Sequence, residues 1–155
     1  MGPNPTDRAK PGVKRSLLVD GEGGPLSLTV AGANVHDTKL LESTLEAIVV
    51  APPEPCEDEP QHLCLDKAYD NPTGDAAAVR FGHTPHIRRI GEEKLDDDGR
   101  KRFPARRWVV ERTLGWLNKY RGLLVRYEKK AANYVAQLQL ACALIWFRRY
   151  MLLRF

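Results

Sequence analysis

His62-Leu63-Cys64-Leu65 is an apolar run too short for a helix, followed by Asp66-Lys67-Ala68-Tyr69-Asp70 and the breaker pair Asn71-Pro72. Four such residues between polar flanks read as a short buried strand. A buried strand needs cover on its faces, and the rest of the chain offers helices to supply it. Upstream, Lys14–Val19 and Pro25–Ala31 are extended runs joined by Val19-Asp20-Gly21-Glu22-Gly23-Gly24. That composition predicts a β-hairpin with Asp20 in its turn. Leu40, Leu41, Leu45, Ile48 and Val49 recur at helical spacing, so Thr38–Val50 reads as a helix with Asp37 as N-cap. Ala51–Gln61 is proline-rich and acidic, hence an exposed loop.

Downstream, the pattern predicts a helix over Thr73–Phe81, a strand over Thr84–Ile90 and a charged loop over Gly91–Phe103. A helix over Ala105–Val125 and a last helix over Ala131–Leu153 follow, the latter with Trp146, Phe147 and Met151 as packing residues. Strands before and between helices predict an α/β fold, a mixed sheet with helices on both faces.

Two acids stand out against this frame. Asp66 falls at the C-terminal tip of its strand, where reacting groups gather in open α/β sheets. Its plainer role is a turn or helix-capping aspartate. Glu111 sits in Arg106–Tyr120, RRWVVERTLGWLNKY, as a single carboxylate in a basic, aromatic-rich helical pattern. At about 100° per residue, Arg107, Glu111, Gly115 and Asn118 share one face, leaving Val109, Val110, Leu114 and Leu117 for the buried side. The plainer reading is an Arg107–Glu111 surface pair, worth about 0.3 to 0.5 kcal/mol. His36-Asp37 also has a catalytic look, with capping as the commoner role for Asp37.

Charge is divided unevenly. Residues 100 to 155 hold 14 Lys and Arg against 2 acids, a net +12, whereas residues 1 to 99 hold 10 against 18, a net −8. Arg100, Lys101, Arg102, Arg106, Arg107 and Arg112, with Trp108 among them, form the cluster that phosphate-backbone binding requires. A solvated basic helix is the alternative. Arg8, Lys10, Lys14 and Arg15 add a second basic group near the N-terminus. Cys56, Cys64 and Cys142 are odd in number and show no Cys-x-x-Cys pairing, which suits a reducing cytoplasm. His62, His83 and His86 offer at most an H-x-x-H pair. The final segment is interrupted by Gln137, Gln139, Arg148 and Arg149, short of the roughly 20 apolar residues of a membrane span.

LDKAYD (Leu65–Asp70), RRWVVERTLGWLNKYRGL (Arg106–Leu123) and the run Gly2–Asp37 resemble, in this order, the DDE transposases of bacterial insertion sequences. The resemblance covers nearly the whole chain and implies a ribonuclease H-like fold. It assigns residues 1–13 to a basic loop and 14–155 to a partial catalytic domain. It carries the family's second catalytic Asp to Asp66, the catalytic Glu to Glu111, and a supporting role to Arg107. In relatives a Tyr lies three residues before the Arg and a Lys seven after the Glu; here these are Pro104 and Asn118, with Lys119 next to the latter.

The family's first catalytic Asp ends a strand that precedes the basic loop, so the resemblance implies that this strand and Asp are missing here. The Lys14–Asp20 strand would then keep an unpaired edge, open to strand addition. Two Mg²⁺ or Mn²⁺ ions bound by Asp66, Glu111 and the first Asp would serve phosphodiester cleavage and strand transfer. Implied partners are transposon-end and target DNA and a second copy in a homodimer, with a cytoplasmic, nucleoid-associated location and no membrane. DNA contacts are expected from Arg8, Lys10, Lys14, Arg15, Arg106, Arg112 and Lys119. The alternative is an inactive remnant or a DNA-binding regulatory fragment.

Overall fold

The computed structural model describes residues 1–5, 7–87 and 107–153, without the side chains of Arg107 and Leu153. Elements run in the order β1 (Gly2–Pro3), β2 (Pro11–Val19), β3 (Pro25–Gly32), α1 (Thr38–Glu46) and β4 (His62–Leu65). A 3₁₀ turn (Lys67–Tyr69), α2 (Pro72–Arg80), β5 (Thr84–Ile87), α3 (Arg107–Asn118), α4 (Arg121–Val125) and α5 (Ala131–Leu153) complete it.

β2 and β3 form the predicted hairpin, in antiparallel register from Val13 opposite Gly32 to Val19 opposite Pro25, with an irregularity at Leu18/Val19. Asp20 closes its turn, its Oδ1 accepting from the backbone N–H of Glu22 at 2.9 Å and of Gly24 at 2.6 Å. Gly23 has φ +89°, a left-handed conformation that favours glycine.

Period-two alternation sends neighbouring hairpin residues to opposite faces. Val13, Leu17, Leu28 and Val30 pack against Leu117, Leu123, Tyr134, Leu138, Ala141 and Ile145. On the other face Leu18 joins Leu41, Leu45, Leu63, Ala77 and Ala78. Helices therefore cover both sides, α3 to α5 on one and α1 with α2 on the other. Between α1 and the hairpin runs a chain of hydroxyls. Thr44 Oγ1 bonds to Ser16 Oγ at 2.8 Å and lies 2.9 Å from Thr29 Oγ1, while Ser27 Oγ donates to the Thr44 carbonyl at 2.6 Å.

The structure alters several expectations. The strands form two sheets and not one mixed sheet: antiparallel β1-β2-β3, and a parallel pair β4-β5 with Leu65 opposite Ile87. The predicted single helix over Ala105–Val125 is broken at Lys119 and Tyr120, where the extended Tyr120 (ψ 102°) starts α4 and lets Leu123 join Leu117 in the core. Its first residues, Ala105 and Arg106, lie outside the described part, as does the loop Gly91–Phe103. Thr84–Ile90 is strand as far as Ile87, and 88 to 90 are outside the description.

Thr38–Val50 is helical only to Glu46, with Val49 85% and Val50 74% exposed. Asp37 holds the N-cap position with no side-chain cap bond; its Oδ1 pairs with Lys14 Nζ at 3.1 Å. α5 has the predicted bounds, but its packing stripe is Tyr134, Leu138, Ala141 and Ile145. Phe147 is 59% and Met151 39% exposed; Trp146 is 40% exposed and reaches the sheet by donating Nε1–H to the Pro25 carbonyl at 2.7 Å.

Candidate active site

Asp66 follows directly on β4, whose Leu63 is buried beneath α1 and α2. Its backbone is extended (φ −72°, ψ 158°), and its Oδ1 accepts from the Lys67 N–H at 2.7 Å. The residue thus occupies the strand tip and caps the 3₁₀ turn, so both sequence readings describe its geometry. Asn71 then caps α2, accepting from the Gly74 N–H at 2.9 Å, with Pro72 in the first turn where a missing N–H costs nothing.

This turn sets Tyr69 beside the acids. Burial, then the Asp37 and Asp66 charges, push its pKa up to about 12, because a phenolate there would be both desolvated and repelled. Asp37, at the start of α1, therefore acts on the same phenol as Asp66. The sequence could not show that neighbourhood, since it depends on α1 packing beside β4.

Glu111 stands on the exposed face of α3 with Gly115, while Val109 and Leu117 are buried at 3% and 0%. These four residues lie as expected, whereas Val110, Leu114 and Asn118 are half-buried and Thr113, fully buried, is an unforeseen member of the inner side. Arg107 begins α3. Asn118 accepts from Arg15 Nη2 at 2.6 Å, tying the end of α3 to β2. Lys119 is exposed and lies beyond the helix end, so the helical step that would turn it from Glu111 does not govern its direction.

One cleft of about 790 Å³ joins these parts. Ser16–Val19 of β2 and His62–Leu65 of β4 line it, together with Leu41, Leu45 and Ile48 of α1 and Val109 and Val110 of α3. Leu65 and Val110, the residues immediately before Asp66 and Glu111, thus border the same space.

The remaining predicted residues fall in two groups. Arg8, Lys10 and Lys119 are exposed, Arg8 with φ +48° and Lys10 paired with Asp7 at 3.7 Å. Lys14, Arg15 and Arg112 are engaged inside the fold. Lys14 Nζ donates to the Val35 carbonyl at 2.9 Å, and Arg112 Nη2 donates to the Glu22 carbonyl at 2.5 Å. The Arg112 guanidinium stacks on Trp108 at 4.7 Å and Trp116 at 4.9 Å, one helical turn to each side. Arg106 is outside the described residues.

His86 pairs with His62, Nε2 to Nδ1 at 2.5 Å, and not with His83, whose pKa burial lowers. None of the three cysteines forms a disulfide. Among the described residues no group of three or more His, Cys, Asp or Glu could hold a metal ion, and no helix is long and apolar enough to cross a membrane.

Residues 2–146 match the family model described as the transposase DDE domain. The chain belongs to the DDE transposase family. It is also 37% identical over 150 residues to the "Putative transposase for insertion sequence element IS402" of Burkholderia cepacia. That match spans 93% of this chain and 67% of the relative. No solved structure matches this DDE-family chain at a significant level.

Proposed function

We propose that this chain is the core of a DNA strand-transfer enzyme of ribonuclease H-like fold, in which Asp66 and Glu111 are the acids at the reacting phosphate. The observation that supports the reading is the shared cleft: Leu65 and Val110, the sequence neighbours of Asp66 and Glu111, both line it although 45 residues separate them. Arg107, one helical turn before Glu111, would orient that carboxylate. Phosphodiester cleavage adds charge to a phosphate that is already anionic, and divalent ions held by hard oxygen donors offset that charge. Asp66 and Glu111 supply two such donors. With no third donor near enough among the described residues, they do not by themselves make the complete metal site.

DNA would be held through its backbone by the basic C-terminal third and by Arg8, Lys10 and Lys119, with Lys14, Arg15, Arg106 and Arg112 as further expected contacts. Transposon ends and target would be its substrates, a homodimer its working form, and the cytoplasmic nucleoid its place of action. A second reading, a DNA-binding fragment without cleavage activity, is favoured by the incomplete donor set.

Nicking of supercoiled DNA carrying the element's ends, in Mg²⁺ or Mn²⁺, tests the proposal. Cleavage that Asp66→Asn and Glu111→Gln each abolish supports it. Cleavage that survives either change overturns it. DNA binding without cleavage in either metal, indifferent to both substitutions, selects the second reading.

A further inference from the structure

From Ala131 to Phe147, α5 carries no charged residue, and Arg148 and Arg149 are the only charges on the helix. A helix apolar on all sides needs cover on all sides. The stripe of Tyr134, Leu138, Ala141 and Ile145 finds it against the hairpin. Ala136, Leu140, Ala143, Phe147 and Tyr150, spaced four, three, four and three residues apart, form a second stripe on the opposite side. All five are exposed, Leu140 at 64% and Phe147 at 59%. Leu144 sits about a quarter-turn away, outside this seam. Single apolar residues are ordinary on a surface, whereas a continuous seam marks a binding face.

The order of sizes along the seam selects what fits it. Small and large alternate: Ala136, Leu140, Ala143, Phe147. Two copies of α5 crossing antiparallel set Leu140 of one opposite Ala143 of the other, and Phe147 opposite Ala136. Every layer then joins one large and one small side chain. A parallel pair would stack Phe147 on Phe147, leave Ala143 facing Ala143, and bring the two Arg148 side chains together. DNA fits the seam poorly, because no cation precedes Arg148.

We propose that a second copy of this chain docks on the seam, α5 against α5 in antiparallel order, about a two-fold axis that passes between Leu140 and Ala143. The inference rests on the homodimer proposed above, whose contact face it names, and is independent of Asp66 and Glu111. Exposed area along the seam is roughly 500 Å² per copy, so the pair buries about 1,000 Å², the size at which a specific interface holds. Phe147, expected from the sequence to pack, then does so between copies.

Sedimentation equilibrium of the full chain is the test, and a dimer is the expected result. Leu140→Lys and Ala143→Glu each bury two unpaired charges per dimer, so each should weaken association at least about a hundredfold. In an equimolar mixture of the two variants the opposite charges meet in one layer, while the other layer keeps Ala143 opposite Leu140. The mixture should therefore recover a dimer; in a parallel pair the two charges would fall in separate layers. Circular dichroism and a urea melt of each variant check that the fold is kept, and where it is lost Phe147→Lys with Ala136→Glu repeats the swap one layer out. A monomer at every concentration overturns the proposal and the homodimer together. A dimer that keeps its strength through Leu140→Lys leaves the homodimer standing and overturns this face. Weakened variants that do not recover on mixing overturn the antiparallel pairing. Nicking is read separately, so the catalytic reading stands or falls on its own.

Discussion

Thr113 donates its hydroxyl hydrogen to the backbone carbonyl of Gly23 at 2.8 Å, a buried contact between residues 90 positions apart. It fixes α3, and with it Glu111, to the turn of the hairpin. Replacement by valine keeps the shape but leaves the Gly23 carbonyl without this donor, and such loss costs about 1 to 3 kcal/mol. Thr113→Val is therefore expected to lower the urea midpoint with an unchanged slope; an unchanged midpoint would show that the contact is incidental.

Gly23 itself meets the same surface. A Cβ there would lie 2.9 Å from both Arg112 Nη2 and Thr113 Oγ1, at a φ of +89° that L-residues rarely adopt. Gly23→Ala should cost more than the roughly 1 to 2 kcal/mol of left-handed backbone alone. Calorimetry of the purified variant provides the check, and an equal melting temperature would sink the expectation.

Leu117 and Leu138 are fully buried in the cluster between α3, α5 and the hairpin. Leu138→Ala is expected to destabilise by about 2 to 5 kcal/mol, the range for cavity formation in a core. Leu144→Ala, on the same helix at 38% exposure, should cost much less. Equal losses would mean that another face of α5 is packed in solution.

Tyr69 predicts an alkaline effect. Its folded pKa of about 12 lies above the unfolded value near 10, so its contribution to stability is complete below pH 10 and is lost as pH rises through about 12. Urea midpoints measured from pH 8 to 12 should fall in that window, less steeply in Tyr69→Phe. Absorbance titration that finds every tyrosine ionising near 10 would contradict this.

Lys119 is exposed at the end of α3. If it contacts a phosphate, Lys119→Gln should reduce the slope of log binding constant against log salt by about 0.9. An unchanged slope would remove Lys119 from the interface.

Elements whose identity follows from local chemistry were legible in the sequence. The hairpin turn is set by Asp20 and the glycines, and Asp66 at a strand tip by the four-residue run before it. Features that depend on tertiary partners were not. α5 carries apolar residues around much of its circumference, so the pattern could not tell the Tyr134–Ile145 stripe from Phe147 and Met151. Asp37 occupies the cap position, but Lys14, 23 residues earlier, takes its carboxylate. The hydroxyls of Ser16, Ser27, Thr29 and Thr44 give no periodic signal. The break at Tyr120 reflects the need to bury Leu123 beside Leu117, which helix propensity alone does not reveal. For the candidate site, the cleft that Leu65 and Val110 share and the Asp37–Tyr69 neighbourhood needed the fold.

The hairpin turn is clasped from the far end of the polypeptide. Arg149 Nη1 reaches Asp20 Oδ2 at 3.1 Å across 129 positions, Arg149 also pairs with Glu22, and its guanidinium rests on Trp146 at 4.8 Å. A ribosome making this chain N-terminus first releases the turn long before the arginine that locks it. The early hairpin therefore waits, unclasped, through most of synthesis, and the growing chain is most exposed to misassociation until its last helix emerges.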